Sequence, residues 1–170
     1  MRAILCLLLL VVLSACDASS PDSPDTPPPP PPPPTLTLTQ QMEALIGCPV
    51  QALSPGRILV GTLDGGCLGS DVQAVPIDFL LGGGSTHNLD FYAFEIPAGR
   101  TVQITMNSTE FDTYLALYDS SGALIDRDDD GGPGLNSLIS RTLSVGRYAV
   151  LASSYRRTTA GSYQILLDTP

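Results

Sequence analysis

Beyond Cys48 the chain is cut into pieces too short for helices. Turn-forming residues recur at Pro55-Gly56, Gly65-Gly66, Gly82-Gly83-Gly84, Pro97-Ala98-Gly99, Ser121-Gly122, Gly131, Gly134, Gly146 and Gly161. The apolar runs between them have the length and the period of strands, so the pattern predicts an all-β fold. Strands are expected over 57–63, 72–80, 89–96, 101–107, 113–118, 123–127, 137–143, 147–153 and 162–167. Val102, Ile104 and Met106 alternate with Thr101, Gln103 and Thr105, which assigns one face of that strand to a core. Residues 89–96 are apolar on both faces and read as a central strand. Between 111 and 132 two alternating runs flank Asp119-Ser120-Ser121-Gly122, which predicts a hairpin leading into an acidic loop.

The amino terminus has a different character. Residues 1–15 carry one charge, Arg2, then an apolar run from Ala3 to Leu13 and small residues, the composition of a secretory signal. That run would rise only about 16 Å as a helix against a hydrocarbon core of about 30 Å, too short to span it. Leu13-Ser14-Ala15-Cys16 resembles a bacterial lipobox, in which the cysteine is diacylated and becomes the first mature residue. The expectation is a lipid anchor on Cys16 in the bacterial cell envelope, with the choice of membrane left open. Residues 16–47 then form a spacer containing eight consecutive prolines, Pro27 to Pro34. Such a run favours polyproline II at about 3.1 Å per residue and holds the downstream domain off the lipid surface. Within 35–46 the alternating Thr-Leu pairs suggest a short strand, and residues 40–46 suggest two helical turns stopped by Gly47. The folded domain is placed at 48–170. With Cys6 lost and Cys16 lipidated, Cys48 and Cys67 remain, and in an oxidising compartment they are expected to pair, two free thiols or a two-sulfur metal site being the weaker alternatives.

The 8 basic residues, all Arg, face 17 acidic ones, a net charge of -9, which disfavours nucleic acid as a partner. Asp126-Arg127-Asp128-Asp129-Asp130-Gly131 matches the first half of a calcium loop, with Asp126, Asp128 and Asp130 as candidate ligands. Its twelfth position is Ser137 rather than Glu, so the competing reading is an acidic turn whose carboxylates accept backbone N–H groups, and no cofactor is then required. His87, the only histidine, lies two residues after Ser85 in a Gly-rich loop with nothing to order a base against a nucleophile; it reads as a solvated side chain and enzyme activity is not expected. Asn107-Ser108-Thr109 reads as a strand end. Tyr155, Arg156 and Arg157 form the one basic-aromatic cluster, able to stack on a sugar or grip a carboxylate.

Asp90-Phe91-Tyr92-Ala93-Phe94, residues 97–102, Phe111-Asp112-Thr113-Tyr114-Leu115, residues 128–132, Asn136-Ser137, Gly146-Arg147-Tyr148 and Gly161-Ser162-Tyr163 together resemble the bacterial pre-peptidase C-terminal domain over 57–167. The resemblance implies a jelly-roll-like antiparallel β-sandwich without catalysis of its own, with relatives that bind collagen, polysaccharide or calcium. In the calcium-binding relatives the Asp that opens the first of these strands is a ligand, which maps onto Asp90, though the acidic residues that accompany it are not recognisable here. No protease domain precedes the module in this sequence, so it is expected to act on another molecule. The reading is a non-catalytic, membrane-anchored binding module for a polysaccharide, a protein or a partner enzyme, with recognition in the loops 64–70, 82–88 and 154–160. The alternative is a purely structural envelope component without a free ligand. Oligomeric state is left open.

Overall fold

A computed structural model describes residues 36–68 and 86–170. The segments expected to form the signal, the lipidated Cys16, most of the spacer and the strand at 72–80 lie outside the described residues. Within them the order is α1 (Leu38–Ile46), β1 (Val50–Ala52), β2 (Ile58–Leu63), β3 (Leu89–Ile96), β4 (Arg100–Asn107), β5 (Thr113–Asp119), β6 (Leu124–Asp128), β7 (Ser137–Leu143), β8 (Gly146–Ser154) and β9 (Gly161–Asp168). A five-stranded sheet, β1-β3-β8-β5-β6, lies over a four-stranded one, β2-β9-β4-β7. The pairings are antiparallel apart from β1 with β3. This is the all-β fold that the alternating pattern predicts and the β-sandwich that the family resemblance implies, and β3 is indeed internal, between β1 and β8.

Alternation decides which side chains meet between the sheets. Val102, Ile104 and Met106 of β4 and Ile165 and Leu167 of β9 pack against Tyr92, Phe94, Leu115, Leu117, Val150 and Ala152 from the facing sheet. The other face of the five-stranded sheet is buried as well: Phe91, Ala93, Tyr114, Ala116, Tyr118, Ala149 and Leu151 form a second apolar layer with Met42 and Ile46 of α1 and with Cys48 and Cys67. That layer is why β5 is buried at six consecutive positions.

The helix overrides the strand suggested by the Thr-Leu alternation. Thr37 caps it, accepting from the Gln40 N–H while the Gln40 side chain accepts from the Thr37 N–H, and Gly47 closes it at φ 85°. This reciprocal cap satisfies two otherwise orphaned donors, which a short isolated strand would not do. Because Met42 and Ile46 are buried, the packed body begins ten residues before Cys48, and the part of the 16–47 spacer nearest the domain belongs to the domain. Cys48 and Cys67 are disulfide-bonded as expected, with Cα atoms 5.8 Å apart. The bond ties the second residue beyond α1 to the segment that leaves β2. The hairpin between β5 and β6 also forms as read: Asp119 accepts the N–H groups of Ser121 and Ala123 and the Ser121 hydroxyl, and that hydroxyl leads in holding its carboxyl below the usual range.

Candidate functional site

The acidic residues after the hairpin serve the sandwich edge. Asp126 and Asp128 stand opposite Leu117 and Leu115 in the β5–β6 register. Asp126 pairs with Arg141 of β7 at 3.6 Å. Asp128 accepts the N–H groups of Gly131 and Leu138, both at 2.8 Å, so it closes the turn and links β6 to β7. Gly131 is needed for this approach, since a Cβ there would lie 2.7 Å from the Asp128 oxygens. Asp130 is exposed. Among the described residues no three His, Cys, Asp or Glu side chains converge as metal ligands would. Asp128→Ala is expected to destabilise by about 1–2 kcal/mol because two donors lose their acceptor. Asp126→Ala, which removes a solvent-exposed ion pair and an exposed local hydrogen bond from the Arg127 N–H, is expected to cost less, under about 1 kcal/mol. Chemical denaturation of the two variants checks the ranking.

Three loops meet at one end of the sandwich: 108–112 between β4 and β5, 129–136 between β6 and β7, and 155–160 between β8 and β9. Hydrogen bonds lace them together. The Ser108 N–H donates to Asn136 Oδ1 at 2.9 Å, the Thr113 N–H to the Leu135 carbonyl at 3.0 Å, and the Tyr155 N–H to the Asp112 carbonyl at 2.9 Å. Glu110 accepts the Ser162 N–H at 3.1 Å. Two clefts open between these loops and share Glu110. One, of about 320 Å³, is lined besides Glu110 by Val60, Asn107, Ser108, Thr109, Asn136, Ser162, Tyr163 and Gln164, so amide and hydroxyl groups stand beside an apolar wall. The other, of about 310 Å³, is lined by Phe111, Asp112, Leu135, Arg156 and Thr159 besides Glu110. Both fall at the small end of ligand-site volumes. In the second cleft burial leads in raising the Asp112 carboxyl above its ordinary range, with Asp130 and Asp129 adding to the rise and Arg156 opposing it.

The three residues of the basic-aromatic cluster have different surroundings. Arg156 lines the second cleft, Tyr155 is exposed at the loop surface, and Arg157 lies near His87. Of the loops expected to carry recognition, 154–160 is at this end, while 108–112 and 129–136 were not anticipated. Asp112 carried a legible sign: it is a charged residue set directly before the wholly buried run of β5. Nothing in the sequence distinguishes Asn136 or Gln164 from ordinary surface polar residues.

His87 is the clear correction. It is buried, 1 % exposed, and neither ring nitrogen has a hydrogen-bond partner. The fold turns it inward because the neighbouring backbone is pinned on both sides: the Thr158 N–H donates to the Thr86 carbonyl, and the Asn88 amide donates to the Thr159 carbonyl. Ser85 lies outside the described residues. Burial pushes the imidazole below its ordinary 6.5; the Tyr155 backbone works the other way, and the Arg157 charge adds to the lowering. The unfolded chain therefore takes up this proton first as the pH falls. Stability associated with neutral His87 is complete above 6.5 and is lost as the pH falls through the lowered value. Asp90 and Asp112, whose carboxyls are raised above 3.8, act in the opposite sense at more acid pH. Relative to His87→Leu, the wild type is expected to lose stability by up to about 1.4 kcal/mol per pH unit within that window, between 6.5 and the lowered value, the slope of one proton. Parallel melting curves from about pH 8 to 5 show this as a widening gap; a constant gap contradicts it.

Asp90, the position matching the family's calcium ligand, is held inside the sandwich margin. Tyr163 donates its hydroxyl to Asp90 and accepts from Tyr92, whose oxygen is 2.7 Å away. Burial raises the Asp90 carboxyl, against the lowering by Tyr163, and pushes the Tyr92 phenol up to about 12. The chain Tyr92, Tyr163, Asp90 thus spans both sheets.

Known proteins share this architecture. Residues 88–169 match the bacterial pre-peptidase C-terminal domain family. Over that span the chain is similar to a pre-peptidase C-terminal domain. The match begins at Asn88, so α1, β1, β2 and the disulfide lie outside it. The crystal structure of the pre-peptidase C-terminal domain of a collagenase from Bacillus anthracis is similar at a TM-score of 0.52 and 14 % identity, covering 71 % of this chain and 96 % of that one. Weaker likenesses include PliG of Aeromonas hydrophila, a periplasmic inhibitor of g-type lysozyme (TM-score 0.45, 13 % identity, 71 % and 97 % covered). CorA of Methylomicrobium album BG8, a surface-associated copper-binding protein, is another (TM-score 0.47, 11 % identity, 72 % and 98 % covered). No curated protein matches the sequence.

Proposed function

We propose that the chain is a non-catalytic binding module of the bacterial envelope, anchored through a lipidated Cys16 and recognising a polysaccharide at the loop end of its sandwich. The observation that carries this reading is the 320 Å³ cleft bounded by Asn107, Ser108, Thr109, Asn136 and Gln164. Amide and hydroxyl groups spaced along an open cleft suit a ligand made of hydroxyls, and the loops that frame it are fixed to one another before any ligand arrives, which lowers the entropic cost of binding. No calcium is required in this reading, because Asp128 is occupied by two backbone donors and Asp126 by Arg141. Calcium in excess is accordingly expected to leave the melting temperature unchanged. A rise of several degrees that Asp128→Ala abolishes would overturn that part.

The experiment is recovery of envelope glycans and proteins on the mature chain, beside a variant with Asn107, Thr109 and Gln164 changed to Ala and another with Tyr155, Arg156 and Arg157 changed to Ala. Recovery of one polysaccharide, lost in the first variant, supports the reading. Recovery of a single protein with no glycan, unaffected by that variant, moves recognition elsewhere. For the anchor, Cys16→Ala is expected to release the protein from membranes and to abolish fatty-acid labelling; unchanged labelling removes Cys16 from the account.

A further inference from the structure

The second cleft holds two charges of opposite sign that do not satisfy each other. Asp112 Oδ1 is shielded from water and has no hydrogen-bond partner, although the Arg156 charge acts on this carboxyl. Among the described residues the Arg156 guanidinium is in no ion pair, and the main chain of its loop is fixed: its carbonyl accepts from Ser154 and Thr159, and the next loop residue back, Tyr155, donates to the Asp112 carbonyl. Phe111 and Leu135, the latter 57 % exposed, give the cleft an apolar wall, and Thr159 adds a polar residue. A shielded carboxylate oxygen without a donor is costly, and the cost falls when a cation approaches it.

The signs of the charges dictate the chemistry of the occupant. An anion alone would meet Asp112 and Glu110 across the cleft and Asp129 and Asp130 nearby. A simple cation would meet Arg156, and no set of three metal ligands stands among the described residues. A neutral sugar would leave both charges as they are. A group that carries an ammonium and a carboxylate on a short apolar frame meets each charge with its opposite and lays the frame on Phe111 and Leu135. We propose that this cleft receives a zwitterionic amino-acid or short-peptide group, its ammonium toward Asp112 and its carboxylate on Arg156, where a planar guanidinium can take it in bidentate fashion. The inference rests on the loop end being a recognition surface and deepens that reading. Because the two clefts share Glu110, the ligand of the whole end is a polysaccharide that bears amino-acid or peptide substituents.

The test is calorimetric titration of the mature protein with the dipeptide alanyl-alanine, its N-acetyl derivative and its carboxy-terminal amide. The free dipeptide is expected to bind at least about tenfold more tightly than either capped form, with the difference shrinking as salt rises. Asp112→Asn is expected to erase the discrimination against the N-acetyl form, and Arg156→Gln that against the amide. If Asp112→Asn fails to fold, the three probes on the wild type still decide. Equal binding of all three, or no binding tighter than about 10 mM, overturns the inference. Glycan recovery that persists alongside such a failure spares the broader binding reading, whereas dipeptide binding without glycan recovery upholds the zwitterion cleft and refutes the polysaccharide.

Discussion

Gly61→Ala is expected to remove about 3–5 kcal/mol of unfolding free energy, a large share of what a domain of this size possesses. Gly61 pairs with Tyr163 across β2 and β9, and a Cβ on it would lie 2.3 Å from the Tyr163 ring. The ring cannot yield cheaply. It is 2 % exposed, and its hydroxyl is the middle member of the chain from Tyr92 to Asp90. Moving it overpacks the core, at about 1–3 kcal/mol, and also strips Asp90 and Tyr92 of their partner, at a similar further cost. Tyr163→Phe separates the two contributions: it keeps the ring over Gly61 and is expected to cost about 2–3 kcal/mol from the lost hydroxyl alone. Denaturant unfolding of both variants checks the order, and a Gly61→Ala variant within about 1 kcal/mol of wild type would mean that the strand register or the Tyr163 position is wrong.

Replacing Cys48 and Cys67 together by Ser is expected to cost about 3 kcal/mol, from the freedom regained by a loop spanning a sequence separation of 19. The effect should not be confined to that loop. Cys48 and Cys67 are themselves buried in the layer formed by Met42, Ile46, Phe91 and Leu151, so the bond holds α1 and the exit from β2 against the same sheet. Amide exchange in α1 is expected to rise in the double variant while β4, β8 and β9 keep their protection. Uniform loss of protection would instead show that the helix layer and the sandwich unfold as one unit.

How far the sequence speaks depends on what kind of contact each feature needs. Strands β3 and β7 are bounded where their apolar and alternating runs end, at Leu89–Ile96 and Ser137–Leu143, because such runs and Gly/Pro punctuation are local properties. Helix α1 was legible through Gln40, Ile46 and Gly47, yet its cap at Thr37 competed with an apparent strand, and only the reciprocal bond with Gln40 resolves the two. The second apolar layer was hidden, since Tyr114, Ala116 and Tyr118 look like the outward face of a half-buried strand until α1 covers the sheet. His87 misled for a similar reason: glycine-rich surroundings suggest exposure, whereas its burial is set by hydrogen bonds from its neighbours to residues 158 and 159, far along the chain. The loop end was half legible. Arg156 stood out by composition, but Asp112, Asn136 and Gln164 become neighbours only through the crossing of the two sheets, which no local pattern encodes.

The central claim, that recognition resides at the loop end, is tested most directly by amide chemical-shift mapping of the isotopically labelled mature protein during titration with fragments of its host envelope polysaccharide. Saturable shifts are expected at Asn107 to Asp112, at Leu135 and Asn136, and at Arg156 to Gln164, with the β1 residue Gln51 and the β7 residue Thr142 unmoved. Shifts centred on those two strands instead, or none at any concentration of any fragment, would contradict it.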